Sequence, residues 1–296
     1  MKELVSFDEW IIDTDAPFGS GASKKHWLIN NNNSLRGIFK YPKITHDGNI
    51  TGEYWAECLA YDIAQTLGIA CAKVDIGTYQ GDKGSMSYML LEKDEALVEG
   101  ISFLNIKYPL YNPDEFFDAE SETWYSIQMI INSISGIGLE KDFLMIPIYD
   151  ALIGNTDRHH SNWGIVSSTE AKKMKISPLY DNGSSLCSVV NEGKINFNDK
   201  RWLQGLINTR SKSLIRFEKT KTRPTHFQMI EFIAEHYCCD CIEYIKSIQD
   251  NLTDKKIAEL ISNYPDDIIS PIMKKLLSLF LKERRNRIIE IFMIGM

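Results

Sequence analysis

Asp157 and Asn162 stand five positions apart in the run Gly154-Asn155-Thr156-Asp157-Arg158-His159-His160-Ser161-Asn162, and a second carboxylate heads the turn Asp181-Asn182-Gly183 downstream. An Asp placed like Asp157 can orient an attacking hydroxyl. An Asn and a second Asp can hold Mg²⁺ against the phosphates of ATP. The D-x-x-x-x-N spacing is that of protein-kinase catalytic loops, and Asp181-Asn182-Gly183 stands where protein kinases carry D-F-G, with Asn in place of Phe. Each piece alone has a plainer explanation, since Asn-Thr-Asp and Asp-Asn-Gly both make good turns unaided. Together they point to phosphoryl transfer, with Asp157 as catalytic base and Asn162 and Asp181 as metal ligands.

Two further groups would serve the same chemistry. Lys40 ends the candidate strand Leu35-Arg36-Gly37-Ile38-Phe39-Lys40, from which a lysine can reach the α/β-phosphates while paired with a helix glutamate. Glu53 and Glu57 on the following helix are both placed to be that partner. Upstream, Gly19 to Lys25 is a small-residue loop whose backbone N–H groups could approach phosphate oxygens. Ser20, Gly21, Ala22, Ser23 and Lys24 are its candidate nucleotide contacts, and Ser20 and Ser23 are candidate sites of autophosphorylation. The loop does not fit G-x-x-x-x-G-K-[ST] and gains weight only from preceding the Lys40 strand.

The positioning elements are legible from period and punctuation. Residues 10–13, 26–29 and 35–41 read as strands, the last two flanking Asn30, Asn31, Asn32 and Asn33 as a hairpin turn, because Asn tolerates left-handed backbone. Residues 41–51 read as a polar loop, and Glu53–Leu67 as a helix stopped by Gly68. Residues 74–79 and 86–91 read as a second hairpin around 80–84. From about residue 93 the pattern becomes helical, with 113–135 and 139–153 at helical spacing, short strands at 163–166 and 174–177, and several helices over 224–296 broken at Asn263-Tyr264-Pro265. The expectation is a two-lobed α+β protein: a β-rich N-lobe over 1–92 and a mainly helical C-lobe over 93–296.

Composition sets bounds. The 296 residues suit two lobes, and 44% hydrophobic with 25% charged residues is ordinary for a globular chain. A net charge of -7 argues against nonspecific nucleic-acid binding. No apolar run approaches about 18 residues, so no transmembrane helix is expected, and the acids in the first ten residues argue against a signal peptide. The six cysteines are scattered; Cys238 and Cys241 have C-x-x-C spacing without a second pair to complete a zinc site, so reduced helix thiols are expected. Against the acidic balance, residues 191–223 carry nine Lys/Arg and three acids. That segment predicts a substrate or partner that is acidic, phosphorylated or an anionic lipid.

Taken together, Ser20 to Lys24, Ile38-Phe39-Lys40, Glu57 with Leu67-Gly68-Ile69, Gly154-Asn155-Thr156-Asp157-Arg158-His159 with Asn162, and Pro178-Leu179-Tyr180-Asp181 resemble the HipA-like serine/threonine kinases. The resemblance implies a two-lobed kinase-like fold, ATP and Mg²⁺, transfer to a protein Ser or Thr, and autophosphorylation. It favours Glu57 over Glu53 as the partner of Lys40. It places adenine near Leu91, Glu92 and Lys93 and counts His159 among the nucleotide-side residues. It implies a bacterial cytoplasmic protein, with export into host cells by a non-Sec route for the compact members. Ser161 departs from the Lys of many members, and Asn182-Gly183 follows the metal Asp. Asp157-Arg158-His159-x-x-Asn162 also looks like the D-R-H-x-x-N loop of phosphatidylinositol kinases, which keeps a lipid kinase as an alternative. A nucleotide-binding scaffold with little transfer is the third reading.

Overall fold

The computed structural model describes residues 1–16, 24–217 and 219–294. Its first half is a sheet of six strands: β1 (Val5–Ser6), β2 (Ile11–Ile12), β3 (Lys25–Ile29), β4 (Arg36–Lys40), β5 (Val74–Tyr79) and β6 (Asp82–Tyr88), in the order β1-β5-β6-β4-β3-β2. All neighbours are antiparallel except β1 on β5. Helix α1 (Glu53–Leu67) follows β4 and ends on Gly68, whose φ of 70° lets its N–H reach back to the last turn.

Strand alternation sorts the side chains of this sheet onto two faces. Phe39 pairs in register with Met86, and these two join Phe7, Trp10, Leu28 and Tyr79 in a buried cluster on one face. Lys40, one residue on, therefore points to the other face, where Val74 and Ile76 pack with α1. Lys25 is the register partner of Lys40 and shares that face.

The second half joins β7 (Glu95–Glu99), β11 (Gly164–Ser168) and β12 (Lys173–Ile176) into a small sheet of order β12-β11-β7. Between them lie α2 (Gly100–Lys107), a meander of β8 (Tyr111–Asn112), β9 (Phe117–Asp118) and β10 (Thr123–Trp124), then α3 (Ile127–Ser133) and α4 (Glu140–Ile153). After α5 (Lys200–Gln204), the helices α6 (His226–Asn251), α7 (Asp254–Ser262) and α8 (Pro271–Ile294) close the chain, with the break at 263–265 where expected. One apolar core runs from α1 through α4, α6, α7 and α8. Polar ties reinforce it: the Tyr149 hydroxyl donates to the Ala60 carbonyl, and Ser247 donates to that of Leu67 at 2.9 Å.

Several expected elements differ. Residues 113–135 are not one helix; only Ile127–Ser133 is helical. The Asp118 carboxylate accepts from both the N–H and the hydroxyl of Ser121, at 2.7 and 2.6 Å, and Phe116 and Glu122 have positive φ, so local turns displace the helix that the apolar spacing suggested. The second hairpin turns tightly on Gln80 and Gly81, with φ of 53° and 83°, so its return strand starts at Asp82 rather than Met86. In the first hairpin the left-handed residue is Ser34 at φ 59°, while Asn30 and Asn33 accept backbone N–H groups. The cysteines are free; Cys238 and Cys241 lie in α6 just past a kink at Tyr237. No described helix is long and apolar enough to cross a membrane.

Phe39→Ala should empty the centre of the aromatic cluster and cost about 3–5 kcal/mol. Urea denaturation should show a lowered midpoint with an unchanged slope.

Candidate active site

Asp150, in the last turn of α4, and Arg158, eight residues on, are both buried and pair at 2.8–3.3 Å through two guanidinium nitrogens. The same guanidinium donates to the carbonyls of Asn162 at 2.7 Å and Tyr180 at 2.9 Å, and to the Asn182 amide oxygen at 2.7 Å. One side chain thus fixes both ends of the 157–162 loop and the turn carrying Asp181. Desolvation opposes the charge on Arg158, but Asp150 holds its pKa raised. Asn155 completes the base of the loop: its amide donates to Asp150 at 3.0 Å, and its side-chain oxygen accepts the Asp157 N–H at 3.1 Å.

Within that frame Asp157 opens to solvent, while Asn162 is buried and donates its amide to the Asp157 carbonyl at 2.9 Å. That bond leaves the Asn162 amide oxygen as the atom available to a cation. Asp181, held at φ 55°, accepts from the Lys40 ammonium at 2.9 Å. Lys40 also lies 3.8 Å from Glu57, whose other oxygen accepts the Asn182 N–H at 2.9 Å. Gly183 packs closely beside it: a Cβ there would stand 3.2 Å from a Glu57 carboxylate oxygen, which would have to yield by a few tenths of an ångström. Glu53 pairs instead with Lys43, at 2.9 Å.

The charges are mutually tuned. Against the desolvation of burial, the Glu57 and Asp181 carboxylates raise the Lys40 pKa. Lys40 holds Asp181 below the ordinary carboxylate range. Burial pushes the Glu57 carboxyl up, with Lys40 and the N–H groups of Asn182 and Gly183 opposing. Asp157 is raised by partial desolvation and by the charge of Asp181, against His159, Lys43 and Arg223. Asp181 and the Asn162 oxygen are the hard donors Mg²⁺ prefers. Two such donors suit an ion that takes few protein ligands and completes its shell with water and phosphate; among the described residues there is no group of three His, Cys, Asp or Glu that could hold a metal.

The other expected residues are placed less uniformly. Ser20, Gly21, Ala22 and Ser23 lie outside the described residues. Lys24 is turned from Lys40, over the Tyr41 ring at 4.1 Å and 3.7 Å from Asp82. Leu91, Glu92 and Lys93 lie on the link from β6 to β7, where the Glu95 carboxylate already accepts the Glu92 N–H at 3.1 Å. His159 accepts the Ser161 N–H at 3.2 Å beside Asp157. Sequence reasoning missed the buried role of Arg158 and the cation Lys43; it put Lys25 at the end of the small-residue loop and Arg223 in the basic segment, without foreseeing that Lys25 shares a face with Lys40 or that Arg223 lies within electrostatic reach of Asp157. For Lys25 a signal existed, since a two-strand register places it opposite Lys40; the Arg223 guanidinium reaches the Thr156 carbonyl, at 2.6 Å, only through the tertiary fold.

The family model of the HipA-like C-terminal domain matches residues 12–241, and the chain belongs to that family. It is 24% identical over 282 residues to the serine/threonine-protein kinase CtkA of Helicobacter pylori strain J99, covering 93% of this chain and 83% of that protein. The crystal structure of a Helicobacter pylori proinflammatory kinase CtkA superposes with a TM-score of 0.81 at 21% identity, covering 99% and 98% of the two chains. A chain from the Shewanella oneidensis MR-1 complex of HipA, HipB and operator DNA matches at a TM-score of 0.56 and 14% identity, over 95% of this chain and 68% of that one. The fold is therefore the expected two-lobed kinase-like one, and the chain is kinase-like.

Arg158→Met should strand Asp150 as a buried, unpaired carboxylate and cost about 3–5 kcal/mol, read as a lowered denaturation midpoint. His160, buried with its Nδ1 3.0 Å from the Tyr111 hydroxyl, is pushed down from 6.5 to about 4 by burial and then by the His159 charge. Between those values the unfolded chain takes up a proton that the native one refuses. Stability should therefore fall as pH drops through that window and be level with respect to this group above it. His160→Gln should shrink the difference between urea midpoints measured above and inside the window.

Proposed function

We propose that the chain transfers the γ-phosphoryl group of ATP to a Ser or Thr hydroxyl of a protein. The observation that carries this reading is that four separate segments meet: Lys40 lies 2.9 Å from Asp181 and 3.8 Å from Glu57, and the Arg158 guanidinium ties the loop of Asp157 and Asn162 to the turn of Asp181. In the proposed roles Glu57 aims Lys40 at the α/β-phosphates, and Asp157 orients the acceptor hydroxyl and takes its proton. Asp181 and Asn162 would hold Mg²⁺, which when bound neutralises charge gathering on the phosphates. The raised pKa of Asp157 suits proton acceptance, while catalysis comes mainly from placement.

The link at Leu91, Glu92 and Lys93 is assigned to adenine and His159 to the nucleotide side. The loop bearing Ser20 to Lys24 is assigned to the phosphates, with Ser20 and Ser23 as sites of autophosphorylation. Similarity to a protein named serine/threonine-protein kinase CtkA supports a protein rather than a lipid acceptor. By the same likeness we assign the chain a role as an exported bacterial effector.

Asp157→Ala should lower the transfer rate by about 10²–10⁴-fold and leave ATP affinity nearly unchanged, because its role is realised in the transition state. Asp181→Ala should weaken Mg-ATP binding as well as transfer. Rates with γ-labelled ATP beside calorimetric affinities separate the two; wild-type rates in Asp157→Ala would refute the assignment.

A further inference from the structure

The segment from Ser211 to Arg223 belongs to the site by its backbone. Arg223 donates to the carbonyls of Thr156 at 2.6 Å, Lys212 at 3.0 Å and Ser213 at 3.0 Å, so it ties the segment to the residue preceding Asp157. Next to it, His226 contacts the Asn155 carbonyl at 2.7 Å and Ser211 at 2.9 Å. At the other end the Arg216 N–H donates to the Tyr125 carbonyl at 2.9 Å, and the Arg216 side chain donates to the Lys221 carbonyl at 2.9 Å. The described residues at both ends of the strip are thus held as a rail beside the catalytic loop.

Its outward side is cationic. Lys212, Lys219 and Lys221 are exposed and Arg223 partly so. Among the described residues no carboxylate pairs with any of the four, although acids outnumber bases by 40 to 33 in the chain. Lysines elsewhere do find partners, as Lys43 does on Glu53, Lys175 on Glu95 and Lys274 on Asp266. The sequence from 211 to 223 holds a single acid, Glu218. Arg216 and Lys221 also flank the half-buried Trp124 ring, at 5.2 and 5.6 Å, which fixes where Lys221 emerges.

We infer that this rail is a docking surface for acidic side chains of the protein substrate, reading carboxylates within a few residues of the phosphoacceptor. The inference rests on the kinase reading above and adds the substrate class. Lys221 lies two residues from Arg223, about 7 Å along an extended chain, so an acceptor on Asp157 would bring its near neighbours alongside these cations. A lipid surface fits less well, because residues 219–222 expose only Lys and Thr and offer nothing apolar to insert.

The test is steady-state phosphorylation of matched Ser peptides bearing Glu, Ala or Lys two to four positions from the acceptor, beside vesicles containing phosphoinositide. The wild-type chain should favour the Glu peptide over the Ala peptide about tenfold in kcat/KM at low salt, with the preference shrinking at about 0.5 M salt. Lys212→Ser/Lys219→Ser/Lys221→Ser should erase the ratio between peptides through KM. A control, Lys255→Ser/Lys256→Ser on α7, should keep it. Equal use of Glu and Ala peptides by the wild type, or a ratio unmoved in the triple variant, would overturn the docking surface and leave the kinase reading intact. Label on vesicle lipid alone, or no transfer to any acceptor, would overturn both.

Discussion

The Arg158 guanidinium is the constraint on which the rest of the site depends. Removing its charge from water costs several kcal/mol, and the attraction of Asp150 repays this only if the remaining donors also find acceptors. Here they do, and the acceptors are the carbonyls of Asn162 and Tyr180 and the side chain of Asn182. Meeting the needs of one buried cation therefore places the 157–162 loop and the turn carrying Asp181 relative to each other. The chain continues outward: Asn182 N–H to Glu57, and Glu57 to Lys40. A polar relay runs from the end of α4 to the strand that carries Lys40.

That relay gives physical meaning to Asn182. A Phe at this position would hold the turn by packing. Asn182 holds it by hydrogen bonds, with its side chain on Arg158, its N–H on Glu57 and its carbonyl accepting from Ser185 at 2.6 Å. Swinging the turn out would break all of these at once in a buried place, so the arrangement favours a fixed turn at Asp181 over a two-state one. Lys40 sits closer to Asp181, at 2.9 Å, than to Glu57, at 3.8 Å. Phosphates entering the cleft would compete with Asp181 for it.

Much of this was legible in the sequence where the signal is local. Asp157, Asn162 and Asp181 announce themselves by spacing, Lys40 by ending a strand, and α1 by its period and Gly68. Period and spacing left both Glu57 and Glu53 open as the partner of Lys40 and the family resemblance favoured Glu57; the structure puts Glu57 on Lys40 and Glu53 on Lys43. Arg158 reads as one letter of a motif, because three of its partners are backbone carbonyls or a distant amide, which no periodicity encodes. Arg223 binds the Thr156 carbonyl 67 positions away for the same reason. Residues 113–135 misled because their apolar spacing resembled a helix, whereas Asp118 and Ser121 supply turns that compete with it. Lys24 and Lys25 are adjacent in sequence but sort to opposite faces of the sheet, a distinction that depends on strand register.

The most direct measurement is a crystal structure of the chain with Mg²⁺ and a non-hydrolysable ATP analogue. The expected result is a triphosphate in the cleft with Lys40 drawn from Asp181 onto phosphate oxygens and the metal held by Asp181 and the Asn162 amide oxygen. Asp157 would face the γ-phosphate, and the Arg158 contacts would be unchanged. A nucleotide bound elsewhere, or a metal held without Asp181 and Asn162, would contradict the assignment of this cleft to phosphoryl transfer.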